Sequence, residues 1–435
     1  MQNASFTTPI GLAFALSMGI LMILLPRKYA LMPLIATACY LTLGQRIVVF
    51  SLDFTMVRIL ILFGFTRLFI KSESLKIELN TIDKAIIYWL IAFILIYTIS
   101  HGSLGALINR LGRAYDALGI YFLSRFLIRD REDFNRLLKF LAVIIIPLSL
   151  LMLVEATTGR NFFAVFGGVS PLSEIRNGHI RCQGSFRHPI MAGTFGATSV
   201  PLFIALWWHE AHGKLYAFLG FIFASIIVLT SRSSGPAMAY LFGIAGITTW
   251  VIRTHMRAMR WLILLSLISL HMVMKAPVWF FIARLAGIIG GSGWHRAQLI
   301  DQAIRHFDEW WLIGTTYTAH WKMGTVLAVN PNMIDITNEF VGQGVNGGLI
   351  TLVLFVLLIV RCFQSIGSKV NANPEESFSY KLTLWSLGAA LFAHVVSFMS
   401  VSYFDQIIVF WYLLLALIST LTVDYIDAEK ASTPC

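Results

Sequence analysis

The sequence predicts an all-α integral membrane protein, a polytopic bundle of about 12–13 transmembrane helices with short helices in two long extracytoplasmic loops. Two observations predict this class. Apolar residues make up 57% of the 435 positions, against roughly 45–50% in soluble domains. Charged residues make up only 13%, about half the usual share. This composition excludes a soluble globular enzyme, a disordered protein and a fibrous repeat.

The apolar residues fall into long runs separated by charged or breaker-containing segments. Because a membrane-spanning helix needs about 20 mostly apolar residues, each run is a candidate span. The candidate spans lie near residues 9–25, 30–44, 53–70, 84–100, 117–128, 138–154, 190–208, 215–230, 234–252, 261–274, 345–360, 381–399 and 405–423. The second and fifth have the weakest signal, so totals of about 12 or 14 also stay open.

These spans divide the chain into five parts. Residues 1–154 form the N-terminal transmembrane helices, and residues 155–189 form an Arg-rich extracytoplasmic loop. Residues 190–274 form the central transmembrane helices, and residues 275–344 form a longer extracytoplasmic loop. Residues 345–435 form the C-terminal transmembrane helices and a cytoplasmic tail.

The basic residues of the short connecting segments predict the orientation. Those on one side are Arg27, Lys28, Lys71, Lys76, Lys84, Arg129, Arg131, Arg136, Lys139, Arg253, Arg257, Arg260, Arg361, Lys369 and Lys381. By the positive-inside rule this side is cytoplasmic, so the N-terminus is outside and the C-terminus inside. Arg110 and Arg113 fall on the outer side and oppose this orientation. The N-terminus lacks the basic region and cleavage site of a signal peptide, so we expect the first span to be retained.

The net charge, 33 − 22 = +11, fits basic residues at membrane surfaces better than a nucleic-acid partner. The four cysteines are scattered, which predicts no disulfide framework. The sequence contains no P-loop, no HExxH and no His/Cys/Asp cluster with ligand spacing. We therefore expect no nucleotide, metal or other cofactor.

The first outer loop is rich in cations. It contains Arg160, Arg176, Arg181, Arg187, His179 and His188, against the single acid Glu174. Guanidinium groups pair bidentately with phosphate oxygens, so the cluster suits a phosphate or pyrophosphate, with Arg181 and Arg187 as candidate ligands. The alternative is solvated charge in contact with lipid headgroups. The small residues of 191–197 favour close helix packing.

A second candidate is Arg232, within the segment TSRSSGP between two predicted spans. An ionisable group near membrane depth is expensive, which makes Arg232 a functional candidate. Snorkelling of its side chain to the headgroups is the alternative.

The long outer loop contains a predicted amphipathic helix. Leu299, Ala303 and Phe307 lie one turn apart, and Trp310-Trp311 favours a position in the membrane interface. Two arginines of this stretch, Arg296 and Arg305, face either a cavity or the solvent. His320 is a candidate general base because the ordinary histidine pKa lies near neutrality, or else a hydrogen-bonded structural group.

The last candidates precede the eleventh span. Asp335 and Glu339 are four residues apart and would share a helical face. The glycines at 342, 344, 347 and 348 permit close packing where the chain enters the membrane. An interfacial helix with packing glycines is the alternative interpretation.

Four stretches together resemble the O-antigen ligase and Wzy-type polysaccharide polymerase superfamily. They are SFRHPIMAG, TSRSSGPAMAYLFG, HRAQLIDQAI followed by WWLIGT, and TNEFVGQGVNGGLI. Their order matches the family over roughly residues 180–360, and the hydropathy matches over the whole chain.

The resemblance implies a metal-independent glycosyltransferase in the bacterial inner membrane, with its active site facing the periplasm. Family members transfer a glycan from undecaprenyl pyrophosphate to a sugar hydroxyl. The resemblance implies that Arg232 and Arg296 bind the lipid pyrophosphate and stabilise its departure. The expected partners are that lipid-linked oligosaccharide, the lipid bilayer and other polysaccharide-assembly proteins.

The sequence departs from the ligases at the last motif, where Thr337 stands at the position of the family's histidine. The candidate catalytic bases are therefore His320, Glu339 and Asp335, in that order. The substitution favours a polymerase over a ligase. A transporter or flippase of lipid-linked or anionic solutes, with arginines along its path, is the main alternative, and a non-catalytic scaffold is another.

Overall fold

A computed structural model describes residues 7–49, 52–73, 75, 77–176, 178–208, 213–288, 293–322, 328–372 and 375–423. Lys76 and Cys435, two residues that the sequence analysis assigned to the cytoplasmic side, lie outside these ranges. Helices dominate the described part of the chain.

The first eight helices are α1 (Pro9–Leu24), α2 (Met32–Tyr40), α3 (Met56–Ile70), α4 (Thr81–His101), α5 (Leu104–Leu127), α6 (Arg131–Thr158), α7 (Pro189–Leu206) and α8 (Gly213–Ser231). They are followed by α9 (Ser234–Thr248), α10 (Met256–Val273), α11 (Phe281–Ile288), α12 (Gly293–Arg305), α13 (Phe307–Trp310), α14 (Glu339–Ala372), α15 (Phe378–Phe398) and α16 (Ile407–Thr422). A 3₁₀ segment, Thr249–His255, joins α9 to α10.

Seven described segments are long and apolar enough to cross a membrane: α4, α6, α7, α8, the continuous stretch Ser234–Val273, α14 and α15. Two further apolar helices, α1 and α16, are shorter. A chain with this many apolar helices requires a hydrocarbon environment, because water cannot solvate their exposed faces. The protein is thus a helical, membrane-embedded protein, as the composition predicts.

Strand structure in the described residues is confined to three short antiparallel hairpins in the loops. They pair β1 (Arg46–Val49) with β2 (Leu52–Thr55), β3 (Glu174–Arg176) with β4 (His179–Arg181), and β5 (Ala328–Asn330) with β6 (Met333–Ile334). The prediction of short helices in both long loops is therefore correct for the second loop, which forms α11 to α13. It is correct only in part for the first loop, which forms one short 3₁₀ helix, Phe162–Phe166, together with the β3–β4 hairpin. The hairpin has a local cause, since Gly178 takes a φ of 74°, a left-handed conformation typical of tight hairpin turns.

Helix α5 begins thirteen residues before the predicted span at 117 (117 − 104 = 13). The hydropathy pattern leaves the first turns of α5 out of the predicted span because they contain Arg110 and Arg113. In the structure, however, Arg110 is only 3% exposed. The Arg110 guanidinium lies 3.4 Å from the ring centroid of Tyr97 and donates to Asn346 Oδ1 at 3.2 Å. These residues thus lie within a helix rather than in an outer loop.

Polar side chains fix where several helices begin and end. α4 begins with a capping box, in which Asn80 accepts from the backbone of residue 83 and Asp83 accepts from the backbone of Asn80. Asp130 caps α6, which ends at Gly159 in the left-handed conformation. The loop that carries the Arg-rich hairpin therefore starts at a defined residue.

Helix α7 is the centre of the bundle, with 89% of its residues buried. Its small residues allow this: a Cβ at Gly193 would lie 2.4 Å from Ser231 Oγ, and one at Gly196 would lie 2.7 Å from the carbonyl oxygen of Ala224. The predicted packing role of 191–197 is confirmed. By contrast, α10 has no buried residue.

Hydrogen bonds gather one set of loops at the same end of the bundle. Gln45 Nε2 donates to the carbonyl of Phe166 at 2.6 Å, which ties the β1–β2 region to the first long loop. Asp405 accepts from the backbone of Leu43 and of Arg187, both at 2.9 Å. This end carries the candidate residues, and we call it the loop end.

Candidate functional site

Three of the four predicted pyrophosphate ligands surround the break between α8 and α9. Arg232 lies at this break, is exposed, and has a φ of +43°, a left-handed conformation that is strained for a non-glycine residue. Its strained backbone projects a guanidinium from a point where two membrane helices meet.

Arg181 fixes the β3–β4 hairpin against this break. Its guanidinium donates to both carboxylate oxygens of Glu174, at 2.8 and 3.0 Å, and to Ser233 Oγ at 2.8 Å. The backbone N–H of Cys182 donates to the carbonyl of Thr230 at 3.1 Å. Arg181 is only 4% exposed and already has a carboxylate partner, so its main role is to position the hairpin.

Arg296 approaches the same break from α12. It is 9% exposed, and its Nη1 donates to Ser234 Oγ at 3.4 Å. Gly235 lies against Ser400 in the same region, where a Cβ would be 2.4 Å from Ser400 Oγ. Burial, together with repulsion from Arg176, lowers the pKa of Arg296 to about 10. The sequence left open whether Arg296 or Arg305 faces inward, and the structure buries Arg296 while Arg305 is exposed beside Asp301.

Among the buried arginines of the described residues, Arg296 has neither a carboxylate nor an aromatic ring as a partner. Three of them, Arg67, Arg125 and Arg181, each bind a carboxylate. Arg110 lies over aromatic rings. For Arg296, no carboxylate of the described residues lies within ion-pair distance. A buried charge without a counter-ion is costly, so the arrangement is suited to an external anion.

Arg187 does not join this group. Its side chain is exposed and extends along the loop around Gly44, where a Cβ would lie 3.4 Å from Arg187 Cδ. Its backbone N–H donates to Asp405 Oδ2 at 2.9 Å. Asp405 also accepts from Thr42 Oγ1 and is 7% exposed, so it holds three loops together. Arg187 thus borders the loop end but lies apart from the Ser233–Ser234 pair.

His188 connects the arginines to the candidate bases. It caps α7, with its Nδ1 accepting from the backbone of Ile190 at 3.1 Å. Burial lowers its pKa, and the charges of Arg181 and Arg176 lower it further, while Glu174 and Asp335 act in the opposite direction. Asp335 therefore lies close enough to His188, and so to Arg181 and Arg176, for its charge to affect the pKa of His188.

Asp335 is half-buried in the segment between β6 and α14. Within the described ranges its carboxylate accepts no hydrogen bond, so it is available to a substrate. The prediction that Asp335 and Glu339 share a helical face is wrong, because α14 begins only at Glu339. Thr337, at the position of the family's histidine, has a buried hydroxyl with no partner among the described residues.

Glu339 is occupied by structural hydrogen bonds. One carboxylate oxygen accepts from the backbone of Tyr403 at 2.7 Å, and the other accepts from Gln343 Nε2 at 2.7 Å. Gln343 in turn accepts from Trp89 Nε1 at 3.0 Å. Glu339 thus joins the start of α14 to the α15–α16 loop and to α4.

His320 lies in a different part of the loop end. Its Nε2 is 2.8 Å from Glu309 Oε1, next to His306. His306 follows α12, so about 15 Å of helix axis, at roughly 1.5 Å per residue, separates it from Arg296. The structure does not bring His320 and Arg296 together. It also corrects the statement that no histidine–acid cluster has ligand spacing, since His306, Glu309 and His320 have ligand atoms within 4.8 Å of one another.

The predicted amphipathic helix of the long loop is shorter than its pattern indicated. Leu299 and Ala303 are buried, but α12 ends at Arg305 and Phe307 is 42% exposed. Sequence reasoning also missed the contributions of Ser233, Ser234 and Glu309. Ser234 lies 62 positions from Arg296, and no local pattern connects the two.

Comparisons with known proteins do not decide between the functional hypotheses. The sequence matches no protein-family model, and a search of curated proteins found no match.

Proposed function

We propose that this protein is a metal-independent membrane glycosyltransferase of surface-polysaccharide biosynthesis. It transfers a glycan from undecaprenyl pyrophosphate to a sugar hydroxyl on the extracytoplasmic side of the bacterial inner membrane, as a polymerase rather than a ligase. The observation that carries the proposal is Arg296, a buried guanidinium without a carboxylate partner in the described residues, beside the Arg232 break. The resemblance of the four motifs supplies the reaction class.

The proposed topology has about 13 membrane crossings, formed by α1 to α10 and α14 to α16, so it counts the continuous stretch Ser234–Val273 as two crossings and includes the nine-residue α2. Adjacent helices alternate in direction across the loops, which returns the long loops to one end. In this topology the loop end faces the periplasm, and the opposite end faces the cytoplasm. The cationic loops that contain Lys71, Arg131 and Arg253 then lie inside, as the positive-inside rule requires.

The pyrophosphate of the donor binds between Arg232 and Arg296. Two separate guanidinium groups, on α12 and at the α8–α9 break, can each form bidentate hydrogen bonds with phosphate oxygens. The serine hydroxyls of Ser233 and Ser234 orient the surrounding arginines. These cations stabilise the negative charge that develops on the departing pyrophosphate.

Asp335 is the proposed general base, ahead of Glu339 and His320. Its carboxylate accepts the proton of the acceptor hydroxyl, and the hydroxyl oxygen attacks the anomeric carbon. The bond between that carbon and the pyrophosphate oxygen breaks, and its electron pair leaves with the lipid pyrophosphate. Three observations support this order: the carboxylate of Asp335 has no partner in the described residues, Glu339 has both oxygens engaged, and His320 lies away from Arg296.

Helix α10 supports access from the bilayer. All its residues are at least partly exposed, and Val273 and Met272 near its end are 83% and 80% exposed. The turn Thr249–His255 separates α10 from α9. An apolar helix exposed on every side is suited to contact with a polyprenyl chain as well as with bulk lipid.

The test uses the purified protein and a synthetic repeat unit linked to lipid pyrophosphate, without nucleotide or added metal. The variants Arg296→Ala and Arg232→Ala should each reduce the rate of transfer about 10²–10³-fold. This is the usual cost of losing one electrostatic contact to a transition state. Arg305→Ala is the matched control, since Arg305 lies on the same helix but is exposed. A product ladder on a gel indicates a polymerase.

The base is tested in the same assay. Asp335→Asn should reduce transfer about 10²–10⁴-fold while the donor still binds, because only proton transfer is lost. Glu339→Gln keeps the size of the side chain and should affect thermal stability more than rate. A full-length ladder from Asp335→Asn would contradict the base assignment. Transfer to an added acceptor in one step would indicate a ligase, and flipping without transfer would replace the enzyme by a transporter.

A further inference from the structure

The second long loop contains a cluster of two histidines and one carboxylate. His306 directly follows α12, Glu309 lies one turn later in α13, and His320 lies in the 3₁₀ segment Ala319–Trp321. His306 Nδ1 and His320 Nε2 are each 2.8 Å from Glu309 Oε1. Two separate segments of the loop thus converge on one carboxylate oxygen.

Aromatic residues hold the three side chains in place. Trp321 Nε1 donates to the other carboxylate oxygen, Glu309 Oε2, at 3.0 Å, and Trp321 is fully buried. The His306 ring stacks on Trp321 at 5.5 Å between centroids, and the His320 ring stacks on Tyr317 at 5.3 Å. This support resembles the outer shell of a metal site, where hydrogen bonds and packing orient the ligands.

The geometry of the cluster also suits a cation. Glu309 Oε1 accepts hydrogen bonds from both imidazoles, and Oε2 accepts one from Trp321 Nε1. The cluster therefore places a carboxylate between two imidazoles. The imidazole planes cross at 87°, so their nitrogens approach the carboxylate oxygen from different directions.

We propose that His306, Glu309 and His320 bind a divalent transition-metal ion, with Zn²⁺ as the best match. Two imidazoles and one carboxylate form a common zinc ligand set that leaves a fourth position for water, whereas Mg²⁺ and Ca²⁺ prefer oxygen ligands. Each imidazole nitrogen that faces Glu309 then presents its lone pair to the metal, and its proton moves to the other ring nitrogen or to solvent.

The ion has a structural role in this proposal. It connects the end of α12 to the segment around Trp321, and so fixes the loop that presents Arg296. About 15 Å of helix axis separates the cluster from Arg296, at roughly 1.5 Å per residue, so the ion does not contact the proposed pyrophosphate site. The inference is independent of the proposed glycosyl transfer.

The experiment measures metal content and stability of the full chain, after removal of any affinity tag. Protein dialysed against Zn²⁺ should retain about one ion per chain by elemental analysis. His306→Ala and Glu309→Gln should lose it, while His179→Ala, an exposed histidine of the other long loop, should retain it. Trp321→Phe should weaken Zn²⁺ binding about 10–100-fold, because it removes the hydrogen bond to Glu309 and shrinks the ring that stacks on His306.

Glu309→Gln keeps the size of the side chain and one acceptor oxygen, so it tests binding even if a histidine variant fails to fold. Substitution with Co²⁺ gives a second measurement. Four-coordinate Co²⁺ bound to the cluster of the parent protein would absorb visible light, whereas the Glu309→Gln variant incubated with Co²⁺ would lack this absorption. Equal zinc content in the parent protein and in Glu309→Gln would overturn the proposal. A cluster held by hydrogen bonds alone would then explain the geometry.

Discussion

Arg296 illustrates how the environment of one residue distinguishes a candidate for anion binding from an arginine with a structural ion pair. Arg67 and Arg125 are also buried, but each is neutralised by an acid of a neighbouring segment and therefore holds the bundle together. Arg296 has only a serine hydroxyl at 3.4 Å and a like charge nearby. In the proposed function, the desolvation cost of such a cation is recovered when the pyrophosphate of the donor binds.

His188 makes protein stability depend on pH. Burial lowers its pKa below the ordinary value of 6.5, so the unfolded chain binds a proton at a higher pH than the folded protein does. The stability that neutral His188 contributes is fully present above pH 6.5 and is lost as the pH falls toward the lowered pKa. We expect the thermal unfolding midpoint in detergent to fall across this window.

His188→Asn separates this effect from other titrations, since asparagine also caps helices. The slope of stability with pH should decrease in this variant, while His188→Ala should cost roughly 1 kcal/mol at pH 7 through loss of the cap. The charges of Arg176, Arg181, Glu174 and Asp335 act on His188 in the parent protein. An unchanged slope in His188→Asn would assign the pH dependence to other groups.

At the scale of helices, the contact between α7 and α8 depends on glycine. A Cβ at Gly196 would lie 2.7 Å from the backbone oxygen of Ala224, so Gly196→Ala must push the two helices apart. We expect the free energy of unfolding to fall by about 1–3 kcal/mol, as at other overpacked sites, and the unfolding midpoint to fall with it.

Gly367→Ala, in α14, is the control because nothing lies within 4 Å of the added Cβ. There the higher helix propensity of alanine should leave stability unchanged or raise it by up to about 1 kcal/mol. Equal midpoints for the two variants would mean that α7 and α8 are free to separate.

How far the sequence predicts these elements depends on whether the signal is local. Helix existence and the packing glycines follow from composition and spacing, and Arg232 stands out because it interrupts two apolar runs. The start of α5 does not follow from composition and spacing, because Arg110 is stabilised by Tyr97 and by Asn346, which is 236 positions away. The four-residue spacing of Asp335 and Glu339 predicts a shared face only if a helix contains both, and α14 begins too late.

The same limit applies to the candidate site. The pairing of Arg296 with Ser234 and the convergence of His306 with His320 depend on how the second loop folds over the bundle. Such contacts join segments with no periodic relation. Arg232, Arg296 and His320 were identifiable from the sequence, whereas Glu309 and the grouping into an arginine site and a separate histidine–carboxylate cluster required the fold.

At the scale of the whole molecule, the two ends of the bundle differ in how their arginines are balanced by carboxylates. Ion pairs between basic and acidic residues, such as Arg27 with Asp133 and Arg125 with Asp83, hold the end opposite the loops. The loop end instead carries Arg232 and Arg296 without carboxylate partners in the described residues. In the proposed function, a buried cation without a carboxylate partner at the loop end is consistent with recognition of an anionic lipid from that side.

This orientation predicts which residues react with a membrane-impermeant thiol reagent in intact cells. In a background with Cys435 replaced by serine, the described native cysteines, Cys39, Cys182 and Cys362, are buried and should react slowly. Leu172→Cys introduces a thiol in the first long loop at a position that is 67% exposed, and it should be labelled without permeabilisation. Ala372→Cys, exposed at the end of α14, should be labelled only after the membrane is opened, because the proposed topology puts it in the cytoplasm. The reverse pattern would place the arginine site on the cytoplasmic side, where a periplasmic polymerase could not use it. Labelling of both positions in intact cells would place them on the same side of the membrane and would contradict the proposed odd number of crossings between them.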